Sequence, residues 1–534
     1  MTVQIPSIFN DVIGPVMRGP SSSHCAAALR IGKLARDLME ADFSEVLIEF
    51  DRAGSLPTTH ETQGSDMGLF GGLLGWDAAD DRLPDSPRAL RESGVCVRIE
   101  TVDTRDPHPS TYRLILSNAR ERRSPIAVST GGGMVEVIAV DGFQVLICGD
   151  SFETLLWLDS GGAEIAQKLA AQIDADEILL HEAGDRQLVD VKASRFVAAA
   201  ELAGLSGVRA VRRLSPVLPV LSRCGMSVPF TTCEHMLQRD GGRNVPLWKL
   251  AVEYEMARGG LTEPEVLGRM VDIVRVLRRS IGQGLAGTQY DDRVLGYQCG
   301  RFEECMKGGR LLDVGALNRI VLYVSALMEV KSSMGVIVAA PTAGACAALP
   351  SAVIAMAESL KQDEEMMAKA LLASGLIGVF IATRWTFAAE AGGCQAEGGS
   401  ASSMAAAALV TLAGGTLAES VAAASMALQN MIGLICDPVA NRVEVPCLGK
   451  NVMAASNALA CANMALAGYD PVIPLDEVIE TARRVAGQMP RELRCTALGG
   501  LSITATSLTL EKKLQQRRPA CSDCTRTTIP GTPQ

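Results

Sequence analysis

The sequence has few aromatic residues, 4% of its 534, although 48% of its residues are hydrophobic. Its apolar content is therefore mostly Ala, Val, Leu and Met, which favours closely packed helices. It has no Lys/Arg-rich block and no interleaving of basic and aromatic residues, and its formal net charge is −10. We therefore expect no nucleic-acid partner.

Two further features are missing. No apolar run reaches about 18 residues without glycine or polar interruptions, so we expect no membrane partner. The N-terminus lacks the charged start and apolar run of a signal peptide, which predicts a cytoplasmic protein. In that setting the 15 cysteines favour free thiols or metal ligands over disulfides.

The length predicts several domains in an α+β multidomain protein. Residues 1–142 combine period-2 strand patterns with an Ala- and Leu-rich helix and predict a mixed α/β domain. Residues 143–220 predict a β-α-β-β-α-β module of the ferredoxin-like kind, with a second helix over 196–205. Residues 221–510 predict an all-helical domain, and residues 511–534 a flexible tail rich in Thr, Pro and Ser.

Three cysteines lie in segments suited to chemistry: Cys394 within Glu-Ala-Gly-Gly-Cys-Gln-Ala-Glu, Cys436 opening Cys-Asp-Pro-Val, and Cys447 closing Val-Glu-Val-Pro-Cys. Three thiolates can hold three irons of a cubane cluster and leave one iron open as a Lewis acid. The spacing is not that of a compact ferredoxin or zinc site. By spacing alone, buried free cysteines explain the pattern better.

The motifs together resemble the iron–sulfur-dependent L-serine dehydratases. Segments 19–25, 54–66 and 131–133 resemble the β part of that family, and segments 340–344, 393–397, 436–439, 445–447 and 498–501 its α part. The chain is identified as a member with both parts fused, and residues 143–220 stand where some members carry an ACT domain. The resemblance implies a homodimer that converts a small amino acid, by default L-serine, to pyruvate and ammonia.

The resemblance also implies a [4Fe–4S] cluster on Cys394, Cys436 and Cys447. Candidate residues follow from the matched segments. For catalysis they are Ser22, Ser23, His24, Gln63 and Asp66; for substrate binding they are Ser21, Ser55, His108, Thr342, Gly344, Arg384 and Gln395. The fourth cluster ligand stays open among Cys346, Cys495, Cys521 and Cys524.

Several candidates also have structural explanations. The serine run before His24 suits a carboxylate at a helix start, and we favour that interpretation over a plain capped helix with a surface histidine. The loop from Pro341 to Gly344 could present N–H groups to a ligand or simply pack. His108 matches a family segment, and a surface histidine would look the same.

Some positions depart from the family pattern. Gln63 stands where a histidine is usual, and a glutamine cannot take a proton at neutral pH. Cys495 replaces a usual glutamate, and Thr383 to Phe387 bring aromatics and a cation. Two explanations remain open: a lyase for a larger or acidic β-substituted amino acid, with Arg384 and Arg442 pairing with an added carboxylate, or a non-catalytic iron–sulfur or amino-acid-sensing protein.

Overall fold

The computed structural model of the chain describes residues 5–223 and 225–517. Cys521 and Cys524 lie outside the described residues. The described part is a mixed α/β, multidomain structure, as the sequence predicts.

The first part is built on a seven-stranded sheet in which β5 pairs only with β4 and the others follow the order β3-β2-β4-β6-β7-β8. Strands β2 and β3 are parallel and the other pairs antiparallel. Alternate residues of β2 and β4 are buried, which explains their period-2 pattern. The elements are β1 (Val16–Met17), α1 (Ala27–Leu38), β2 (Glu45–Asp51), α2 (Leu56–Thr59), α3 (Ser65–Leu73), α4 (Ser86–Glu92), β3 (Cys96–Val102), β4 (Thr111–Ser117), β5 (Arg122–Arg123), β6 (Pro125–Gly131), β7 (Met134–Val140) and β8 (Phe143–Ile147).

Helices α1 and α3 pack closely because glycines line their contact. A Cβ atom on Gly68 would lie 2.0 Å from the backbone oxygen of Cys25, and one on Gly72 would lie 2.1 Å from that of Leu29. Only glycine permits so short an approach between the two backbones. This contact fixes the start of α1, where the serine–histidine segment lies.

Strand β8 pairs with β7, so the first sheet extends past the predicted boundary at residue 142. The next module is formed by β9 (Phe152–Leu158), α5 (Gly162–Gln172), β10 (Glu177–Ala183), β11 (Arg186–Ala193), α6 (Ala199–Leu202) and β12 (Val208–Leu214). Its four antiparallel strands follow the order β10-β11-β9-β12. The helix predicted over 196–205 is only the single turn α6, because the flanking residues Ala198 and Ala203 both have extended backbone conformations.

The remaining described residues are almost entirely helical, with a two-residue strand, β13 (Ile337–Val338). The helices are α7 (Cys233–Asp240), α8 (Leu247–Gly259), α9 (Glu263–Ala286), α10 (Cys299–Lys307), α11 (Ala316–Ser332), α12 (Ala348–Ser359), α13 (Glu364–Arg384), α14 (Ala389–Gly392), α15 (Ser400–Leu412), α16 (Leu417–Gln429), α17 (Cys447–Leu466), α18 (Leu475–Gln488) and α19 (Ala505–Arg517). The capping box predicted before α9 is present, with the Thr262 N–H donating to Glu265 Oε2 over 2.8 Å.

Helix α13 lies at the centre of the helical part. By length and composition alone it could cross a membrane, but 78% of its most apolar stretch is buried inside the protein. A buried core helix can have the same length and apolar composition as a membrane-spanning helix.

Near both ends of the described chain, the structure differs from the predicted domain limits. Strand β1 pairs with β13, and Ile8 and Val12 pack against Gly375 and Gly378 of α13, so the first residues belong to the helical core. This brings the start of α1 to the junction between the two parts. At the other end, α19 shows that residues 511–517 are helical, within the segment predicted as a flexible tail.

Candidate active site

The structure packs Cys394, Cys436 and Cys495 into one buried cluster and places Cys447 near them. Cys394, Cys436, Cys447 and Cys495 are each 4–5% exposed. Side-chain hydrogen bonds with Cys394 and Cys495, together with burial, raise the pKa of Cys436 well above its usual value. Burial raises the pKa of Cys447, Lys331 lowers it, and Cys394 raises it further, so Cys447 lies within electrostatic reach of the other thiols.

Backbone contacts hold these cysteines in position. The Cys436 N–H donates to Leu493 O over 2.9 Å, and the Cys495 N–H donates back to Cys436 O over 3.3 Å. Cys394 precedes a π-helical turn over Gln395–Gly399, and such turns are frequent at functional sites. Cys447 begins α17, and its carbonyl accepts a hydrogen bond from Asn451 Nδ2 over 2.8 Å.

Lys450 supplies a positive charge to this group. Its Nζ lies 3.6 Å from Cys394 Sγ and donates to Asp437 Oδ1 and Ile435 O, each over 2.7 Å. Burial lowers the pKa of Lys450, but Cys394 and Asp437 outweigh it and raise that pKa. An ammonium beside a thiol favours the thiolate, which is the form that binds metals.

The donor set suits an iron–sulfur cluster. Among residues 5–223 and 225–517, no three His, Cys, Asp or Glu side chains are close enough to hold a single metal ion. A cluster differs because each iron takes its own cysteine thiolate and the irons are spread over a larger volume. Three buried thiols packed together and a fourth within electrostatic reach, with a lysine beside Cys394, fit that requirement.

The serine–histidine segment forms a π-helical turn, Ser22–Ala26, that leads into α1. His24 is 1% exposed, so the surface-histidine explanation is wrong. The hydroxyl of Ser21 bonds to His24 Nδ1 over 3.1 Å and caps no backbone N–H, so the predicted serine cap is absent. On the other side of the ring, Nε2 lies 3.0 Å from Thr59 Oγ1. Burial lowers the pKa of His24, and Glu390 partly opposes this.

The two halves of the chain meet at this histidine. Ser23 Oγ donates to Glu390 Oε1 over 2.9 Å, and the same carboxylate oxygen lies 3.5 Å from His24 Nδ1. The hydroxyl of Ser22 accepts a hydrogen bond from the Ala343 N–H over 3.2 Å. The β-like segment therefore contacts both the Cys394 motif and the loop that carries Thr342.

That loop encloses a second carboxyl group. Thr342 Oγ1 donates to Glu397 Oε1 over 2.7 Å, and a Cβ atom on Gly344 would lie 2.8 Å from both Glu397 carboxylate oxygens. Burial raises the pKa of Glu397 to about 7, although the bond from Thr342 lowers it. Glycine at 344 thus leaves room for a carboxyl group that can gain or lose a proton near neutral pH.

Gln63 reaches the cysteines from the N-terminal side. It is fully buried, with Nε2 3.2 Å from Asn441 Oδ1 and 4.0 Å from Cys495 Sγ. Its Oε1 atom is buried without a hydrogen-bond partner. The two departures from the family pattern, at positions 63 and 495, are therefore neighbours.

Other predicted residues of the N-terminal part bond locally. Asp66 pairs with His60 Nδ1 over 2.8 Å. Ser55 Oγ lies 3.2 Å from Ser110 Oγ, and the Ser110 N–H donates to His108 Nδ1 over 3.2 Å. Burial lowers the pKa of His108 and Glu390 raises it, so His108 lies within electrostatic reach of the site.

Three polar residues of the helical part form hydrogen bonds or ion pairs with residues other than the cysteines. The Gln395 amide accepts from the Gly433 N–H over 2.9 Å and donates to Ala482 O over 3.3 Å. Arg384 lies 3.6 Å from Asp476, and Arg442 lies 2.5 Å from Asp292. Both arginines therefore have a carboxylate partner within the protein.

The sequence reasoning gave no role to Glu390, Glu397 or Lys450. Both glutamates lie in the Glu-Ala-Gly-Gly-Cys-Gln-Ala-Glu segment and flank its cysteine. That position was the sequence signal that could have indicated a role for them. Lys450 comes three residues after Cys447, one turn into α17, where it faces the same side. Nothing in the local sequence marks it.

Comparison with known proteins identifies relatives of the chain by sequence. Residues 242–502 match the family model for the serine dehydratase alpha chain. The chain is 36% identical over 285 residues to a protein named probable L-serine dehydratase, alpha chain, of Bacillus subtilis, covering 53% of this chain and 95% of that one.

Two further relatives are a beta chain and a longer dehydratase. The probable L-serine dehydratase, beta chain, of Bacillus subtilis is 29% identical over 201 residues, covering 36% of this chain and 88% of the relative. The L-serine dehydratase of Streptomyces coelicolor is 27% identical over 495 residues, covering 91% and 96%. The chain therefore belongs to the L-serine dehydratase family, with beta-like and alpha-like parts joined in one polypeptide.

Proposed function

We propose that this protein is an L-serine ammonia-lyase that converts L-serine to pyruvate and ammonia. The observation that carries the proposal is the meeting of two motifs that are far apart in sequence. Ser22, Ser23 and His24 contact the Cys394 motif and the Thr342 loop, beside the buried cysteines. The names of the relatives support the same activity.

The proposed cofactor is a [4Fe–4S] cluster held by Cys394, Cys436 and Cys447. When bound, it supplies a Lewis-acidic iron that polarises a substrate oxygen. Lys450 places its ammonium 3.6 Å from Cys394 Sγ, where its charge complements the negative charge of a cluster ligand.

In this proposal His24 removes the α-proton of the substrate. Burial lowers its pKa, so the imidazole is neutral at pH 7 and can accept a proton. Thr59 Oγ1 donates to Ser55 O, so it accepts from the His24 Nε2–H. The lone pair is therefore on Nδ1, to which the Ser21 hydroxyl bonds, and Nδ1 is the atom that takes the proton. Once the ring is protonated, the nearby Glu390 carboxylate stabilises its charge.

Glu397 has the properties of the acid that assists loss of the β-hydroxyl. Its pKa of about 7 keeps a large protonated fraction at neutral pH. The Ser22 hydroxyl accepts from Ala343, which leaves its own proton available for the substrate carboxylate. Loss of the proton and the hydroxyl leaves an aminoacrylate, which water converts to pyruvate and ammonia.

The test is anaerobic reconstitution with iron and sulfide, followed by assays of pyruvate and ammonia on L-serine. Cys436→Ala should remove both iron and activity, and Cys461→Ala, a buried thiol outside the group, should keep both. Gln63 motivates a panel that adds L-threonine, L-cysteine and an acidic β-hydroxy amino acid. An iron-loaded protein that turns over none of them would instead be the non-catalytic sensing protein.

We also propose that the module over 143–220 is ACT-like and that the helical part is one catalytic domain. The strand order β10-β11-β9-β12 and the β-α-β-β-α-β sequence of elements support the first. The homodimer stays a prediction, with the module as its expected contact. Light scattering of the full chain, with and without L-serine, measures both the oligomeric state and any effect of an effector.

A further inference from the structure

The first sheet has an open edge at β3. This strand ends the strand order, and among the described residues it pairs only with β2. Five of its seven residues are exposed. An open edge can pair with another strand, and natural proteins often block it with proline, lysine or a β-bulge. The sequence of β3, Cys-Val-Arg-Ile-Glu-Thr-Val, contains neither proline nor lysine, and its pairing with β2 has no bulge.

The hydrogen bonds to β2 show which backbone groups of β3 face outward. The Cys96 N–H donates to Ser44 O over 2.8 Å, and Val102 O accepts from the Arg52 N–H over 2.7 Å. In a parallel pair, both backbone groups of one residue face the same neighbouring strand, and those of the next residue face the opposite side. Every second residue from 96 to 102 therefore bonds to β2. The residues whose N–H and C=O groups face the open edge are Val97, Ile99 and Thr101.

We propose that β3 pairs with β3 of a second copy of this chain, antiparallel and about a twofold axis at Ile99. In that register Ile99 lies opposite Ile99 of the second copy, and Val97 lies opposite Thr101. All the outward N–H and C=O groups of both strands then have a partner. The pairing joins two seven-stranded sheets into one.

The same register pairs opposite charges. Arg98 lies opposite Glu100 of the second copy, and the twofold axis repeats this pair. Both residues occupy non-hydrogen-bonded positions, where opposite Cα atoms are about 4.5 Å apart and unlike charges attract. Within its own chain, Glu100 lies opposite Glu49, a like-charge pair that Arg98 of the second copy offsets.

Other registers lose these contacts. An axis at Val97 places Arg98 opposite Cys96, and an axis at Thr101 places Glu100 opposite Val102. An axis between two residues sets outward-facing backbone groups against inward-facing ones, so no hydrogen-bond ladder forms. Backbone pairing and charge pairing therefore select the same register.

Ile99 is the apolar part of the proposed contact. It pairs with Ile48 of β2, so both side chains lie on the core-facing side of the sheet. Ile48 is fully buried, whereas Ile99, on the edge strand, is 37% exposed. Ile99 of the second copy lies directly opposite and covers this apolar surface.

The edge strand of the module over 143–220 fits a second copy less well. Strand β12 ends the strand order of that sheet. Antiparallel pairing about its middle residue, Val211, places Arg209 opposite Arg213 of the second copy, where like charges repel. The proposed surface therefore differs from the module contact expected for the homodimer.

The first test measures the oligomeric state of the full chain by sedimentation over a dilution series. The wild type should be a dimer. Glu100→Arg makes both attractive pairs repulsive and should raise the dissociation constant at least about tenfold. The matched control combines Glu100→Arg with Arg98→Glu, which swaps the charges, keeps the composition and should restore the wild-type constant. Because Glu100 opposes Glu49 in its own chain, neither variant should lower the Tm of the subunit.

The second test captures the register. Cys96 lies opposite residue 102 of the second copy, with Cα atoms about 4.5 Å apart, which is within the range for a disulfide. Val102→Cys should therefore give a covalent dimer on mild oxidation, because residues 96 and 102 of one strand are about 20 Å apart and cannot bond to each other. Adding Cys96→Ser should prevent the link. Electrophoresis without reductant and mass spectrometry of the linked peptides detect the bond.

A monomeric wild type would overturn the proposal. So would a dimer whose dissociation constant is unchanged by Glu100→Arg, which would place the contact elsewhere, with the module as the first alternative. A charge swap that fails to restore the dimer, or a disulfide that persists in the Cys96→Ser variant, would contradict the register. None of these measurements uses iron or turnover, so the result is independent of the proposed function.

Discussion

Glu390→Gln separates an electrostatic role of this carboxylate from a merely structural one. In the wild type, Glu390 Oε1 accepts from Ser23 Oγ over 2.9 Å and lies 3.5 Å from His24 Nδ1. The Glu390 side chain is 7% exposed, so water screens the interaction little. Glutamine keeps the size and an acceptor oxygen but removes the charge.

The size of the expected loss in kcat/KM follows from the charge that the substitution removes. A hydrogen bond to a buried charged group contributes about 1.5–3 kcal/mol, and each 1.4 kcal/mol is about tenfold in rate or affinity. We expect kcat/KM for L-serine to fall about 10- to 100-fold, because the imidazolium formed by proton abstraction loses its counter-charge.

The pH dependence of kcat/KM tests the direction in which the substitution moves the pKa of His24. Burial lowers the pKa of His24 and Glu390 raises it, so removal of the Glu390 charge lowers that pKa further. A base is active only when neutral, and the acid limb of kcat/KM reports its pKa in the free enzyme. In Glu390→Gln this limb should therefore move to lower pH, even though the maximal rate is smaller.

The matched control is Glu480→Gln, which removes a carboxylate that pairs with Arg483 on the protein surface. It should change neither kcat/KM nor the profile. Iron content is measured in all samples, so that a loading defect is not mistaken for a catalytic one. An acid limb of Glu390→Gln that stays in place or moves to higher pH would refute the assignment of His24 as the base.

Three further predictions concern stability and cluster retention. Gly68→Ala places a methyl group 2.0 Å from a backbone oxygen of the segment that leads into α1, so denaturant unfolding should show a loss of about 1–3 kcal/mol. Gly282→Ala in α9 adds a Cβ atom in open space, so it should be neutral or stabilising. Equal losses of unfolding free energy in the two variants would contradict the packing argument. Burial raises the pKa of Glu255 to about 7 from 4.5, so the folded state holds its proton more tightly than the unfolded state. As pH rises from 4.5 to 7, the wild type should lose about 3 kcal/mol of unfolding free energy relative to Glu255→Gln, and parallel pH curves would contradict this. Lys450→Met removes the charge 3.6 Å from Cys394 Sγ; chelator challenge should strip its iron about tenfold faster, and an unchanged rate would exclude the lysine from the site.

Local sequence was sufficient for most secondary structure and for the three-cysteine motif. Helix periodicity and the capping box at Thr262 are set by residues within a few positions of one another, and the hairpin of β10 and β11 has a short turn. The same reasoning failed over residues 196–205, where extended conformations at Ala198 and Ala203 limit the helix to a single turn, α6. It also failed at residue 142, because that boundary falls inside a local hairpin: Asp141 and Gly142, both with positive φ, form the two-residue turn between β7 and β8.

The site itself was decided by the tertiary structure. Glu390 meets Ser23 across 367 positions, and Gln63 meets Cys495 across 432. Residue types could nominate each of these side chains, but no periodic pattern links positions so far apart. Only the packing of the N-terminal segment into the helical core, with β1 against β13, brings the serine–histidine turn to the cysteines. The sequence thus supplied the chemical groups, and the long-range contacts selected which of them form one site.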